Sequence, residues 1–118
     1  PHDNLEPLQV THYKQGQKYN PHYDWFKKND NQRTTTVFTY IQGFENELYD
    51  CGGATVFPKL KDENNNPLRT YPVSGTCVVW ENVNANGEGE ELTLHGGEPV
   101  TCESTKIGLN AWFRENPI

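Results

Sequence analysis

Polar and apolar positions along the chain alternate in short runs, and no stretch carries the spacing of an amphipathic helix. Residues 8–13 alternate as a strand, with Leu8 and Val10 on its apolar face and Gln9, Thr11 and Tyr13 on the other. Gln15-Gly16-Gln17 is a turn, and Tyr19-Asn20-Pro21 delivers the chain extended into His22, since the residue before a proline avoids the helical region. Residues 34–41, β-branched and aromatic, form the clearest strand. Residues 42–50 read as an acidic turn, and 54–57 as a short strand ended by Pro58. A further short strand falls at 70–73, and 76–80, apolar on both faces, reads as buried. Residues 92–95 are short and extended. The last strand, 106–113, turns Ile107, Leu109, Ala111 and Phe113 one way and Lys106, Gly108, Asn110 and Trp112 the other. Polar loops at 27–33, 59–67 and 82–91 separate these runs. Seven or eight short strands joined by turns predict a mainly β fold, a sandwich or jelly roll with few or no helices.

Composition narrows this further. A chain of 118 residues is one domain by length, and 33% hydrophobic residues predict a thin core that leans on its five Phe, six Tyr and three Trp. The net charge of −6 argues against a nucleic-acid partner, which needs clustered Lys and Arg. No apolar run reaches the roughly 18 residues of a membrane span, and no secretory signal pattern is present. Cys51, Cys77 and Cys102 make an odd number, so the expectation is free thiols in a reducing compartment, with one bridge plus a free thiol as the alternative.

Candidate chemistry gathers at His22 and Asp24. Residues i and i+2 of an extended backbone project from one face, so an imidazole and a carboxylate aim at one point. His95, beside Gly96-Gly97 on an expected strand, is a candidate third ligand. Two His and one carboxylate suit Fe(II), Mn(II) or Zn(II), and with open positions they form the facial triad of non-haem Fe(II) oxygenases. Lys106 follows eleven residues after His95. If it is buried, it needs an anion; no Asp or Glu shares its predicted face, so a cosubstrate carboxylate is one partner and a solvated surface lysine the other reading.

The ordered residues carry more than any one motif. Tyr13-x2-Gly16-Gln17-x-Tyr19-x2-His22-x-Asp24 resembles the prolyl 4-hydroxylase catalytic domain. So do Gln32-Arg33-x2-Thr36-x3-Tyr40-Ile41, Gly52-Gly53-x-Thr55-x-Phe57-Pro58 and Pro72-x2-Gly75-x4-Trp80. His95-x-Gly97-x-Pro99-Val100, Lys106 and Trp112 complete the series, which runs collinearly from Leu8 to Phe113. The resemblance implies a double-stranded β-helix and one catalytic domain over residues 1–118, without the helical segment that usually precedes the first motif. It implies that His22, Asp24 and His95 bind Fe(II), and that Lys106 meets the distal carboxylate of 2-oxoglutarate with Tyr13 and Thr55 beside it. It places Tyr19, Arg33 and Trp112 near the metal or a peptide groove. The activity it implies consumes O2 and 2-oxoglutarate, releases succinate and CO2 and hydroxylates a prolyl residue in a peptide, with ascorbate as reductant. Two alternatives stay open at this point: a cupin-like module that binds without catalysis, and the same chemistry on another substrate. Oligomeric state is left open, as is compartment, the secretory pathway for a eukaryotic protein and the cytoplasm for a bacterial or viral one.

Overall fold

The structure, a computed structural model, describes residues 2–28, 30–44 and 51–118. Short 3-10 turns at His2–Asn4 and Glu91–Thr93 are the helical elements among the described residues. The strands are β1 (Gln9–Tyr13), β2 (Tyr19–His22), β3 (Arg33–Gln42), β4 (Thr55–Lys61), β5 (Pro67–Thr70), β6 (Cys77–Glu81), β7 (His95–Gly97) and β8 (Lys106–Arg114). They form two four-stranded antiparallel sheets, β1-β8-β3-β6 and β2-β7-β4-β5. Apart from the β4-β5 hairpin, the chain changes sheet at each successive strand, which is the winding of a double-stranded β-helix. The mainly β expectation holds.

The first sheet is laid on β3 and β8, the two longest strands, paired from Arg33↔Arg114 to Gln42↔Ile107. Their inner faces supply much of the core. Phe38, Tyr40 and Trp112 are buried there, joined by Ala54, Phe57 and Val100 from the opposite side. The faces of β8 fall as the alternation predicts: Lys106, Gly108 and Trp112 are buried. Gly108 is required by contact, because a Cβ there would lie 2.4 Å from the Phe38 ring. The core is small and aromatic, as the composition predicts.

Five expectations need correction. Leu8 and Val10, assigned to a core face, are 54% and 65% exposed, and the polar residues Gln9, Thr11 and Tyr13 turn inward. The interior they meet is a polar cavity, so hydropathy points the wrong way. The run 76–80 is likewise half-exposed: Val79 stands on the outer face and Cys77 is exposed. Strand β4 does not stop at Pro58. Its ladder to β7 covers only Thr55 and Val56, and its pairing with β5 is irregular between Phe57 and Lys61, so the missing proline N–H interrupts no ladder bond recorded there. The strand expected at 70–73 lies earlier, at Pro67–Thr70, and the extended run expected at 92–95 is a 3-10 turn followed by β7. Residues 45–50 of the acidic turn lie outside the described residues.

The cysteines also depart from the free-thiol reading. Cys51 and Cys102 form a disulfide across 51 positions of sequence, leaving Cys77 as the free thiol. Backbone pairing brings them together: Gly52 bridges Val100, and the Thr101 N–H donates to the Cys51 carbonyl at 2.7 Å. A closed loop of this size stabilises by up to about 4 kcal/mol on chain-entropy grounds. Cys51→Ser is expected to lower the unfolding free energy in urea by about 2–4 kcal/mol. Cys77→Ser, at an exposed position, should move it by less than about 0.5 kcal/mol.

Candidate metal centre and cosubstrate pocket

Strands β2 and β7 pair so that His22 stands directly opposite His95. Their rings approach at 4.5 Å between centroids. Each Nδ1 faces a backbone carbonyl, Asn20 O at 2.8 Å for His22 and Thr93 O at 2.7 Å for His95. A carbonyl only accepts, so each Nδ1 carries the proton and donates it, and each Nε2 is left with its lone pair directed at the neighbouring residues. Strand β2 ends at His22, and Asp24 follows in a bend. Its Oδ1 lies 3.5 Å from both Nε2 atoms.

With both imidazoles neutral, three lone-pair donors converge, all within 4.8 Å of one another. Two neutral imidazoles and a carboxylate in that arrangement are a donor set for a divalent first-row cation. The residues fit an iron site. Asp24 is 4% exposed, and burial alone would raise its pKa. Its contacts with His22, His95 and Thr36 outweigh burial and hold the carboxyl far below the usual carboxylate range. Burial works against protonation of His22, and Asp24 with the Asn20 carbonyl reverses that, raising its pKa.

The other carboxylate oxygen is engaged from the opposite sheet. Asp24 Oδ2 accepts from Thr36 Oγ1 at 2.8 Å and from Trp112 Nε1 at 3.1 Å. Trp112 is in turn covered by the Arg33 guanidinium, 3.8 Å above its ring. Glu6 fixes Arg33 in a two-point ion pair at 2.7 and 3.1 Å and also accepts from Arg114 at 2.7 Å.

A cavity of about 350 Å³ opens beside the three ligands, and all nine side chains singled out from the sequence border it. Lys106 is 2% exposed and donates to the Gly53 carbonyl at 2.8 Å. Gly53 has φ +73°, a conformation that favours glycine and turns this carbonyl to the ammonium. Among the described residues no carboxylate forms an ion pair with Lys106, and burial lowers its pKa to about 8, partly offset by the more distant Glu98. The Tyr13 ring centroid is 4.4 Å from its Nζ. Thr55 is buried and shares a hydrogen bond with the Tyr40 hydroxyl at 2.7 Å. Tyr19, half-exposed, leans on His22 with centroids 4.4 Å apart.

Sequence reasoning gave no role to Thr36, Tyr40, Trp80 or Asn82. Thr36, Phe38 and Tyr40 alternate along β3 and share its inner face, a period-2 signal that was available. Trp80 stands 4.8 Å from the His95 ring, between centroids. Nothing local marks Asn82, which sits two residues beyond Trp80 and is wholly buried.

A double-stranded β-helix with this donor set at one end of a polar cavity defines a metal-dependent oxygenase class. The chain belongs to the 2OG-Fe(II) oxygenase superfamily, whose family model matches residues 8–114. Within that class it is 34% identical to prolyl 4-hydroxylase 5 of Arabidopsis thaliana, over 96% of this chain and 43% of that protein. It is also 34% identical to prolyl 4-hydroxylase subunit alpha-2 of Gallus gallus, over 93% of this chain and 20% of that one. The viral collagen prolyl hydroxylase of Paramecium bursaria Chlorella virus-1, in its 2OG complex, matches with a TM-score of 0.74 at 32% identity. That match covers 94% of this chain and 59% of the viral one. The chain thus spans less than half the length of the plant and animal relatives named here.

Asp24→Asn keeps the shape of the carboxylate and removes its charge. It is expected to weaken Mn(II) binding by at least about tenfold, read from the free-Mn(II) EPR signal, while far-UV circular dichroism stays that of the parent.

Proposed function

We propose that this chain is the catalytic core of an Fe(II)- and 2-oxoglutarate-dependent dioxygenase that hydroxylates prolyl residues in a peptide and releases succinate and CO2. The observation that carries the reading is one cavity holding both the His22, Asp24 and His95 donor set and a buried ammonium without a carboxylate partner among the described residues. Iron bound by those three residues supplies the oxidising chemistry, with 2-oxoglutarate and O2 as cosubstrates. The protein residues do the rest. Lys106 receives the distal carboxylate as a point charge, where an arginine would offer a two-point fork. Tyr13 and Thr55 border the same cavity, and the Tyr13 ring stands beside the ammonium. Along β7, His95 and Gly97 are two residues apart, a step of roughly 7 Å that suits a short dicarboxylate reaching from metal to ammonium. Phe38 and Trp80 line the cavity as apolar walls. Tyr19, Arg33 and Trp112 border it as well and are assigned to the peptide side. The prolyl specificity is supported by the names of the relatives, two prolyl 4-hydroxylases and a viral collagen prolyl hydroxylase.

Iron-loaded protein is expected to release succinate in step with addition of one oxygen to a proline-rich peptide, followed by mass spectrometry. Folded, iron-loaded protein that turns over 2-oxoglutarate yet adds oxygen to none of the proline-containing peptides offered would overturn the prolyl assignment.

Lys106 gives a pH dependence of opposite sign for stability and for binding. Its folded pKa of about 8 lies below the ordinary lysine value of 10.5, so the unfolded chain binds more protons between the two. Ligand-free stability therefore gains from this group as pH rises through that window. Affinity for succinate falls over the same window, because the ammonium that meets the carboxylate is lost. Glu98 and Tyr13 are the titratable neighbours, and Tyr13 stays protonated there because burial raises its pKa above 10.0. Calorimetric titrations at pH 7 and pH 9 should show the weakening, and Lys106→Ala should abolish the pH dependence while costing about 10- to 100-fold in affinity.

A further inference from the structure

The interior behind the donor set contains a hydrogen-bond relay whose direction is fixed by chemistry. Asp24 Oδ2, an ionised carboxylate oxygen, can only accept, so Thr36 donates its single hydroxyl proton to it at 2.8 Å. The Thr36 oxygen can then only accept from its other buried neighbour, the Asn82 side chain at 2.8 Å. That neighbour must present its amide nitrogen. With the amide reversed, Asn82 Oδ1 would compete for the Thr36 proton and Asp24 would lose a donor.

The backbone of Asn82 is anchored on both sides. Its N–H donates to the Thr34 carbonyl at 2.8 Å, extending the β3-β6 ladder by one bond. Its carbonyl accepts from Glu90 N–H at 2.9 Å, where the 82–91 loop returns toward the 3-10 turn and His95. The side chain is 0% exposed, and its Oδ1 has no hydrogen-bond partner among the described residues. A buried amide oxygen left unpartnered is unfavourable for the fold, and an apolar side chain of the same size would avoid it. The residue is better explained by what its nitrogen does.

We infer that Asn82 is a positioning residue for the metal centre: through Thr36 it commits Asp24 Oδ2 to the protein interior and leaves Oδ1 alone to face His22 and His95. This rests on the proposed metal-binding role of His22, Asp24 and His95. Outer partners of metal ligands typically govern affinity by 10- to 100-fold.

The test measures Mn(II) binding by EPR and the visible spectrum of the Co(II)-loaded protein, in the parent, Asn82→Leu, Thr36→Val and the double variant. Parent protein that binds no Mn(II), or binds it equally with His22→Ala, removes the metal-site reading itself. If the parent binds and His22→Ala does not, the relay is tested by itself. Asn82→Leu is then expected to keep the parent's circular dichroism and resist urea at least as well, yet bind Mn(II) 10- to 100-fold more weakly with an altered Co(II) spectrum. The double variant should be no weaker than the worse single one, since both break one relay. Parent-like affinity and spectrum in Asn82→Leu overturn the inference, as do fully additive losses in the double variant. Should Asn82→Leu fail to fold, Thr36→Val carries the test against Thr36→Ser, which retains the hydroxyl: equal affinity in these two overturns the inference, and rescue by serine supports it.

Discussion

Asp24 is the carboxylate to which both sheets are tied. Oδ1 faces His22 and His95, which belong to β2 and β7 of one sheet, and Oδ2 accepts from Thr36 on β3 and Trp112 on β8 of the other. A buried charge is tolerated only when its oxygens are met by donors or cations, so Asp24 ties residues of the two sheets to one another across the interior. The Glu6–Arg33–Trp112 stack and the Asn82–Thr36 pair are the outer supports of the same group. A substitution in either support would be felt at the donor set before it was felt in the fold.

The polar interior explains which parts of the sequence could be read and which could not. Element existence was legible in β3 and β8, whose β-branched and aromatic content leaves no competing structure. Facing was legible where aromatic residues mark the inside, as at Phe38, Tyr40 and Trp112. It was misread at β1, where Leu8 and Val10 look like core residues and stand on the outer face of the sheet. The rule that apolar residues point inward presumes an apolar inside, and here β1 borders a cavity that needs Thr11 and Tyr13.

The site was legible in a different way. His22 and Asp24 are neighbours in sequence, but Asp24 reaches the cluster from a bend, so the same-face argument for a strand covers His22 alone. His95 and Lys106 were candidates by residue type, and the ordered motifs tied them to the same site, because the antiparallel register that sets His95 opposite His22 is not encoded at either strand. Asn82 lay beyond both routes. It belongs to no periodic run, and its importance arises from a contact 46 residues back in the chain, to Thr36. The cysteine pair failed for the same reason: the odd count argues against a disulfide framework, and only the bridge between Gly52 and Val100 reveals which two meet.

The cavity sets two buried groups of opposite charge apart, Asp24 and Lys106, neither completed by an ion pair with the other. The protein on its own carries the cost of both: the depressed lysine pKa shows it at one end, and a buried carboxylate oxygen 3.5 Å from each of two imidazoles shows it at the other. A divalent cation removes the second cost and a dicarboxylate removes the first. Ligands that bind the native state and not the unfolded chain add their binding free energy to stability. With a small aromatic core and polar residues turned inward, this fold gains from its ligands what a larger apolar core would otherwise supply. Filling the cavity with apolar side chains would stabilise the empty protein and remove the site, so the instability of the empty cavity and its capacity to bind have one physical origin.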